Sequence, residues 1–295
     1  MPKTTLHIIG NGFDLAHSLK TSYWNFREWI CAHKKEFPIN EFILEEAFGC
    51  TNDELWSDFE TVLGHMNPVT YLQGICQDYE NEEMEDQSEQ VSSMVMSVFG
   101  PTFGNVIEGF GQWARHINVA KAESKISELE DLFQFDMNGL FVNFNYTNTL
   151  ERVYQIPRQS ILHIHGDAED KHSQIIVGHD TDYKQYEQPL ETYIDKIGVL
   201  NYSDIKPFLI QDLVNIRKPI EQRIGMCNAF LENREIDHIV VLGLSFGEVD
   251  FPYLKNIAER YPNALWTISV HDDEDEKKVK HFISSLGLNA QMVDW

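Results

Sequence analysis

"TLHIIGNGFD", residues 5–14, is a short apolar run that breaks at Gly10-Asn11-Gly12 and continues into a segment able to start a helix. Leu6 to Ile9 read as a buried strand ending at glycine. A glycine turn between a strand and a helix lets backbone approach a diphosphate closely and aims N–H groups at it. The full dinucleotide fingerprint is not met, because its third small position holds Leu15. No second strand ending in an acid follows about 20 residues on, and there is no Gly-Lys-Ser/Thr of a P-loop. Gly-x-Gly alone therefore fits a structural bend as well as a ligand turn.

Working outward, "GLFVN" (139–143) and "HIVVL" (238–242) are two more buried-strand patterns. "ILHIH" (161–165), "IIVGH" (175–179), "LWTISV" (265–270) and "AQMVDW" (290–295) are weaker ones. Near-continuous apolar strands separated by helices predict an α/β fold, a mostly parallel sheet with helices on both faces. The long stretch between the first two strands reads as helical. "SYWNFREWICAHKK" puts Tyr23, Phe26 and Ile30 on one stripe. "NDELWSDFETVLGHM" opens at an Asn52 or Asp53 cap and spaces Leu55, Phe59, Val62 and Leu63 helically. The acidic "DYENEEMEDQSEQ" (78–90) starts a solvated helix or forms a loop. Residues 203–233 read as helical with a break at Pro219, and strand 265–270, helix Asp272 to Leu286 and strand 290–295 close the chain. No repeat or Pro- or Ser-rich linker divides it. The expected organisation is one α/β core, 1–20 and 136–295, interrupted by a helical insertion, 21–135.

The 42% hydrophobic content, with 6 Trp, 11 Tyr and 18 Phe, supplies a sizeable core and argues against disorder. No apolar run approaches the ~18 residues of a membrane span, and the N-terminus lacks the apolar region of a secretory signal; a cytoplasmic location is expected. Cys31, Cys50, Cys76 and Cys227 are scattered, which fits neither a zinc ribbon nor a disulfide framework. With 47 acidic against 23 basic residues the net charge is −24. Such a surface repels phosphodiester backbones, so direct nucleic-acid binding is not expected. A small anionic ligand stays compatible, because helix-start N–H groups hold phosphate without basic side chains.

Three polar clusters follow strand patterns. In "FVNFNYTNTLERV", Asn143, Asn145 and Asn148 gather where a strand gives way to a helix, and strand C-termini of open α/β sheets are where ligands bind. Amides there can orient ribose hydroxyls or a water; Asn148 or Thr147 capping the next helix accounts for one of them. In "ILHIHGD", His163 and His165 share a face of a strand, and a His at a strand end can serve as general base. A paired-His metal site is the rival, but no HExxH or third ligand at suitable spacing accompanies it, and no compact Asp/Glu/His cluster is evident. His7 and His238 read as core residues, and His179 fits either role. In "VVLGLSFGEVDFPYL", Gly243, Ser245 and Gly247 form a second glycine turn, with Asp250 placed to cap the helix at Phe251-Pro252. A serine hydrolase would need an acid and then a His after Ser245, and within "HDDEDEKK" His271 stands before the acids.

In order, "GNGFDLAHSLKTSY", "LWSDFE", "FNYTNTLE", "HIHG" and "GLSFGEVD" resemble the AbiH family of bacteriophage abortive-infection proteins over nearly the whole chain. More distantly, they are similar to the sirtuin-like NAD-consuming domains of bacterial defence systems, whose core is Rossmann-like. That resemblance implies NAD as substrate, hydrolysed at the nicotinamide–ribose bond. It places Gly10, Asn11, Gly12 and Asp14 over the diphosphate, and Asn145 by the nicotinamide ribose with Asn143 and Tyr146 beside it. His165 falls on the catalytic His of a His-Gly motif completed by Gly166, and Gly243 and Ser245 lie toward the adenosine. Thr147 stands where the family's Asn-Tyr motif carries Asp. The four-Cys zinc ribbon of sirtuin deacylases is absent, so simple hydrolysis is favoured over protein deacylation, with no metal expected. By analogy a phage-derived trigger and a homo-oligomer are expected partners. A nucleotide- or dinucleotide-binding sensor is the alternative function, and a metal-dependent nuclease the third. Trp56 and Glu60, four apart, share a helix face; packing explains Trp56 and Phe59, while Glu60 closing a pocket is the functional alternative.

Overall fold

Six parallel strands form one sheet: β1 (Thr4–Ile9), β2 (Leu140–Asn143), β3 (Ile161–His163), β4 (Ile236–Leu242), β5 (Leu265–Val270) and β6 (Asn289–Asp294), in the order β3-β2-β1-β4-β5-β6. They come from a computed structural model that describes residues 4–78, 83–198 and 200–295. Helical crossovers keep parallel strands in one sheet and cover both its faces, which is why the inner strands are apolar at successive positions. Leu6, Ile8, Leu140, Val142, Ile239 and Val241 pack into the core on one face. Ile9, Phe141, Ile161, Val240 and Leu242 pack into the core on the other. The outer strand β6 is only partly buried.

From β1 the chain winds outward through β2 and β3, then returns to lay β4 on the other side of β1. This is the Rossmann-like order, and its reversal between β1 and β4 opens a crevice at the strand C-termini where ligands of such sheets bind. Every cluster singled out above except the Trp56 segment and the Gly178-His179 pair lies on a loop leaving one of these strand ends.

The chain divides into two units. The first comprises the stretch up to Ser22, Ala114–Ile176 and Pro219–Trp295, and holds the sheet. The second comprises Tyr23–Trp113 and Val177–Lys218 and is helical. Its interior is aromatic: Phe26 meets Trp56, Phe110 and Trp113, and Trp56 stacks on Phe59 at 5.5 Å. Trp56 and Phe59 are buried, as their packing role requires.

Several elements differ from the sequence reading. The stretch 175–179 is irregular rather than a strand; Gly178 has φ +153, and a β-carbon there would meet the Ile216 carbonyl at 1.9 Å. β3 ends at His163, two residues short of the apolar pattern. "NDELWSDFETVL" is two helices, Asn52–Ser57 and Phe59–Leu63, broken at Asp58, whose carboxylate caps the second. The first of these is capped by Thr51 in a box with Glu54, one residue earlier than expected. Of the acidic stretch, 79–82 lie outside the described residues, and a helix runs Met84–Ser93.

Candidate functional site

The two glycine turns pack on each other. Gly10 donates its N–H to the Leu242 carbonyl (2.9 Å) and Gly12 to that of Gly243 (2.7 Å). A β-carbon on Gly10 would lie 2.5 Å from the Gly243 oxygen, and one on Gly12 2.7 Å from the Gly243 Cα. Gly243, at φ +64, would bring its β-carbon to 2.2 Å from the Phe13 nitrogen. All three glycines are thus required by close backbone approach at the switch point. Phe13 N–H closes onto the Gly10 carbonyl at 3.0 Å, so three amides of the bend already donate within the protein. Asn11, first residue of α1 (Asn11–Ala16), is exposed, as is Ser245.

The amide-rich turn after β2 is tied to this bend. Asn145 Nδ2 donates to the Gly10 carbonyl at 2.9 Å. Asn143 shapes the turn from within: its Oδ1 accepts from the Asn145 N–H (3.0 Å) and its Nδ2 donates to the Thr147 carbonyl (3.2 Å). Asn148 occupies the N-cap position of the helix Thr149–Tyr154 without a side-chain cap bond. Thr147 and Thr149 instead donate to the two oxygens of Asp14, at 2.5 and 2.7 Å. Asp14 is buried, and desolvation, opposed by these hydroxyls, raises its pKa from 3.8 to about 6. The carboxylate of this edge therefore comes from α1, and a second acid at position 147 would press like charge against it.

The two histidines of "HIHG" go separate ways because the strand ends between them. His163, in register with Asn143, keeps to the face of Ile161 and receives Glu151: its Nε2 and Glu151 Oε1 are 2.9 Å apart. His165 turns toward the opposite core. Only 3% exposed, its ring meets the edges of Phe144 (5.4 Å) and Tyr253 (5.9 Å), and its Nε2 lies 3.8 Å from Asp250 Oδ1. Asp250 does stand at the N-cap position of the helix Phe251–Arg260, but its side chain makes no cap bond there. Beyond His165, Gly166 at φ +98 has no room for a β-carbon, which would meet the Gln174 oxygen at 2.2 Å. Tyr146 holds this loop, its hydroxyl donating to the Ile176 carbonyl (3.0 Å) and its carbonyl accepting from Ala168 N–H. Arg115 donates to three further carbonyls of the loop, those of Ala168, Asp170 and Ser173.

Contrary to the sequence expectation, a compact acid-and-imidazole cluster exists: ligand-type atoms of Glu151, His163 and Asp167 lie within 4.8 Å of one another. Spacing could not reveal it, because a helix, a strand end and a loop contribute one residue each. His7 is core, stacked on Phe141, and burial depresses its pKa to about 3. His238 is half-buried and bonded to Thr267. In the helical unit, His179 is buried and bonded to the Leu213 carbonyl, with a pKa lowered by desolvation to about 4. Glu60 there pairs with the buried Lys218 (2.9 Å) and accepts from Gly178 N–H. Since the helix breaks at Asp58, Trp56 and Glu60 do not form the face expected of them.

Glycine bend, amide turn and acid-paired imidazoles at the switch point of a doubly wound parallel sheet define a Rossmann-like α/β protein with its candidate site at the strand C-termini. The family described as Bacteriophage abortive infection AbiH matches residues 6–270, a span that starts within β1, runs to the end of β5 and holds every site residue above. The chain belongs to the AbiH family, and so to the proteins of phage abortive infection. No curated protein and no solved structure matches it.

Proposed function

We propose that the β1–β4 crevice binds NAD and that the protein hydrolyses its nicotinamide–ribose bond as its part in abortive infection. The observation that carries this reading is the bond from Asn145 to Gly10: it joins the amide turn to the glycine bend at the switch point, where sheets of this order bind dinucleotides. With Nδ2 so engaged, Asn145 offers Oδ1 to a ribose hydroxyl or to the attacking water. Cleavage passes through an oxocarbenium-like state and nicotinamide leaves neutral, so no strong general acid is needed. Water adds at the ribose carbon, and His165 takes its proton, leaving ADP-ribose and nicotinamide. Asp250, 3.8 Å from the ring, stabilises the imidazolium that forms. The side chain of Ser245 is exposed on the adjoining loop, toward the adenosine half.

A second reading, binding without turnover, is favoured by specific features. His165, the base that turnover needs and binding does not, is only 3% exposed, and the edges of Phe144 and Tyr253 close round its ring. A defence enzyme that consumes a housekeeping metabolite must be silent before infection, and a covered base suits that state. Nicotinamide release from NAD, assayed in extracts of resting and phage-infected cells expressing the protein, separates the readings. Hydrolysis predicts release after infection, reduced about 10²–10⁴-fold in His165→Gln. Calorimetric binding of NAD with no release in either state would establish the sensor; neither binding nor release overturns both.

A further inference from the structure

We propose that Glu151, His163 and Asp167 form a binding site for a divalent cation of the zinc or manganese class, for which the Arg158 guanidinium is the resident substitute. One imidazole and two carboxylates are a ligand set these ions accept. The three ligand atoms already lie within 4.8 Å, and the His163 side chain is 2% exposed, that of Asp167 9% and that of Glu151 17%.

Acidic groups crowd together on many proteins without binding metal, so the cluster alone decides nothing. The polar atoms left unsatisfied do. Glu151 Oε2 is buried with no hydrogen-bond partner among the described residues, and so is His163 Nδ1. A carboxylate oxygen can only accept, and Oε2 belongs to the same carboxylate whose Oε1 faces His163 Nε2, so an ion bound between those two residues can reach it. Glu151 Oε2 therefore calls for a donor or a cation, and a buried acceptor without one is costly.

Arg158 supplies positive charge to the two carboxylates but leaves that oxygen unpartnered. Its two terminal nitrogens reach Glu151 Oε1 at 3.4 Å and Asp167 Oδ2 at 3.1 Å, longer than the ~2.7–2.9 Å of strong charge-assisted bonds. Neither contact reaches Glu151 Oε2. The arginine is 52% exposed and stands on the short turn Arg158–Ser160, so it can swing into solvent without disturbing the core. A divalent ion in its place carries twice the charge and binds the imidazole as well. Bound, it would join the start of the helix after the amide turn to the end of β3 and to the loop that follows His165.

Titrating the full chain, freed of metal with EDTA, with Mn²⁺ and separately Zn²⁺ by calorimetry tests this without any nucleotide, so its outcome is independent of NAD chemistry. One cation per chain is expected. Asp167→Asn should weaken binding by about tenfold or more, and Arg158→Ala should tighten it by a similar factor. Circular dichroism checks that the variants fold; Glu151→Gln replaces Asp167→Asn if the latter does not. The proposal is overturned if neither wild type nor Arg158→Ala binds stoichiometrically, or if the ligand variant binds as tightly as wild type. Arg158→Ala binding no tighter than wild type overturns the role given to the guanidinium.

Discussion

Asp14 is a carboxyl held where its charge is least welcome, under two threonine hydroxyls and out of water. Its proton is bound more tightly in the folded chain than in the unfolded one. Between the ordinary value of 3.8 and about 6 the folded state therefore carries more protons, and stability must fall as pH rises through that window. The full span is worth about 3 kcal/mol from the displacement of the carboxyl's pKa. Urea unfolding of wild type and Asp14→Asn should converge at pH 4 and separate in favour of the variant by pH 7; a gap independent of pH would show that the charge is not what matters there. Gly243 makes a sharper demand. Its φ of +64 and the 2.2 Å approach of any β-carbon to Phe13 leave no accommodating rotation. Gly243→Ala should lose about 3 kcal/mol or more in chemical denaturation, whereas Gly49→Ala, with open space around it, should lose only the ~1 kcal/mol of a left-handed backbone. Equal losses would contradict the packed-turn account.

Among the elements, the break at Asp58 has the widest effect, because it rotates Glu60 onto Lys218 instead of onto the face of Trp56. Lys218 is fully buried, and a lone buried ammonium is far costlier than the pair. Glu60→Ala should cost about 3–5 kcal/mol in unfolding experiments, and Glu60→Leu with Lys218→Met should recover most of it. Additive losses in the double variant would mean that the two charges do not depend on each other. No spacing in the sequence could have announced this pair, whose members stand 158 positions apart. The same holds for Asp14 with Thr147, and for Asp250, whose place before Phe251-Pro252 reads as a cap although its carboxylate faces His165. What was legible followed from local physics. β1, β2 and β4 are apolar at consecutive positions because both their faces are covered. Gly10 and Gly243 mark the strand ends because no other residue fits there. His163 and His165 do not share the face that their spacing predicts, since the alternation of a strand holds only while the strand lasts, and β3 stops at the first of them.

At the scale of the whole molecule the chain carries a net charge of −24, and among the described residues no helix is long and apolar enough to cross a membrane. Membership of the AbiH family gives the setting, abortive infection, and the switch point of the sheet is the candidate site. The proposed dinucleotide would lie across the ends of β1, β2, β3 and β4. Hydrogen–deuterium exchange of the full chain, with and without a non-hydrolysable NAD analogue, tests it most directly. Exchange should slow together in segments 10–17, 143–150, 163–168 and 243–251, while the closing helix 277–286 stays unchanged. Protection absent from these four segments, or confined to a region away from them, would contradict the account.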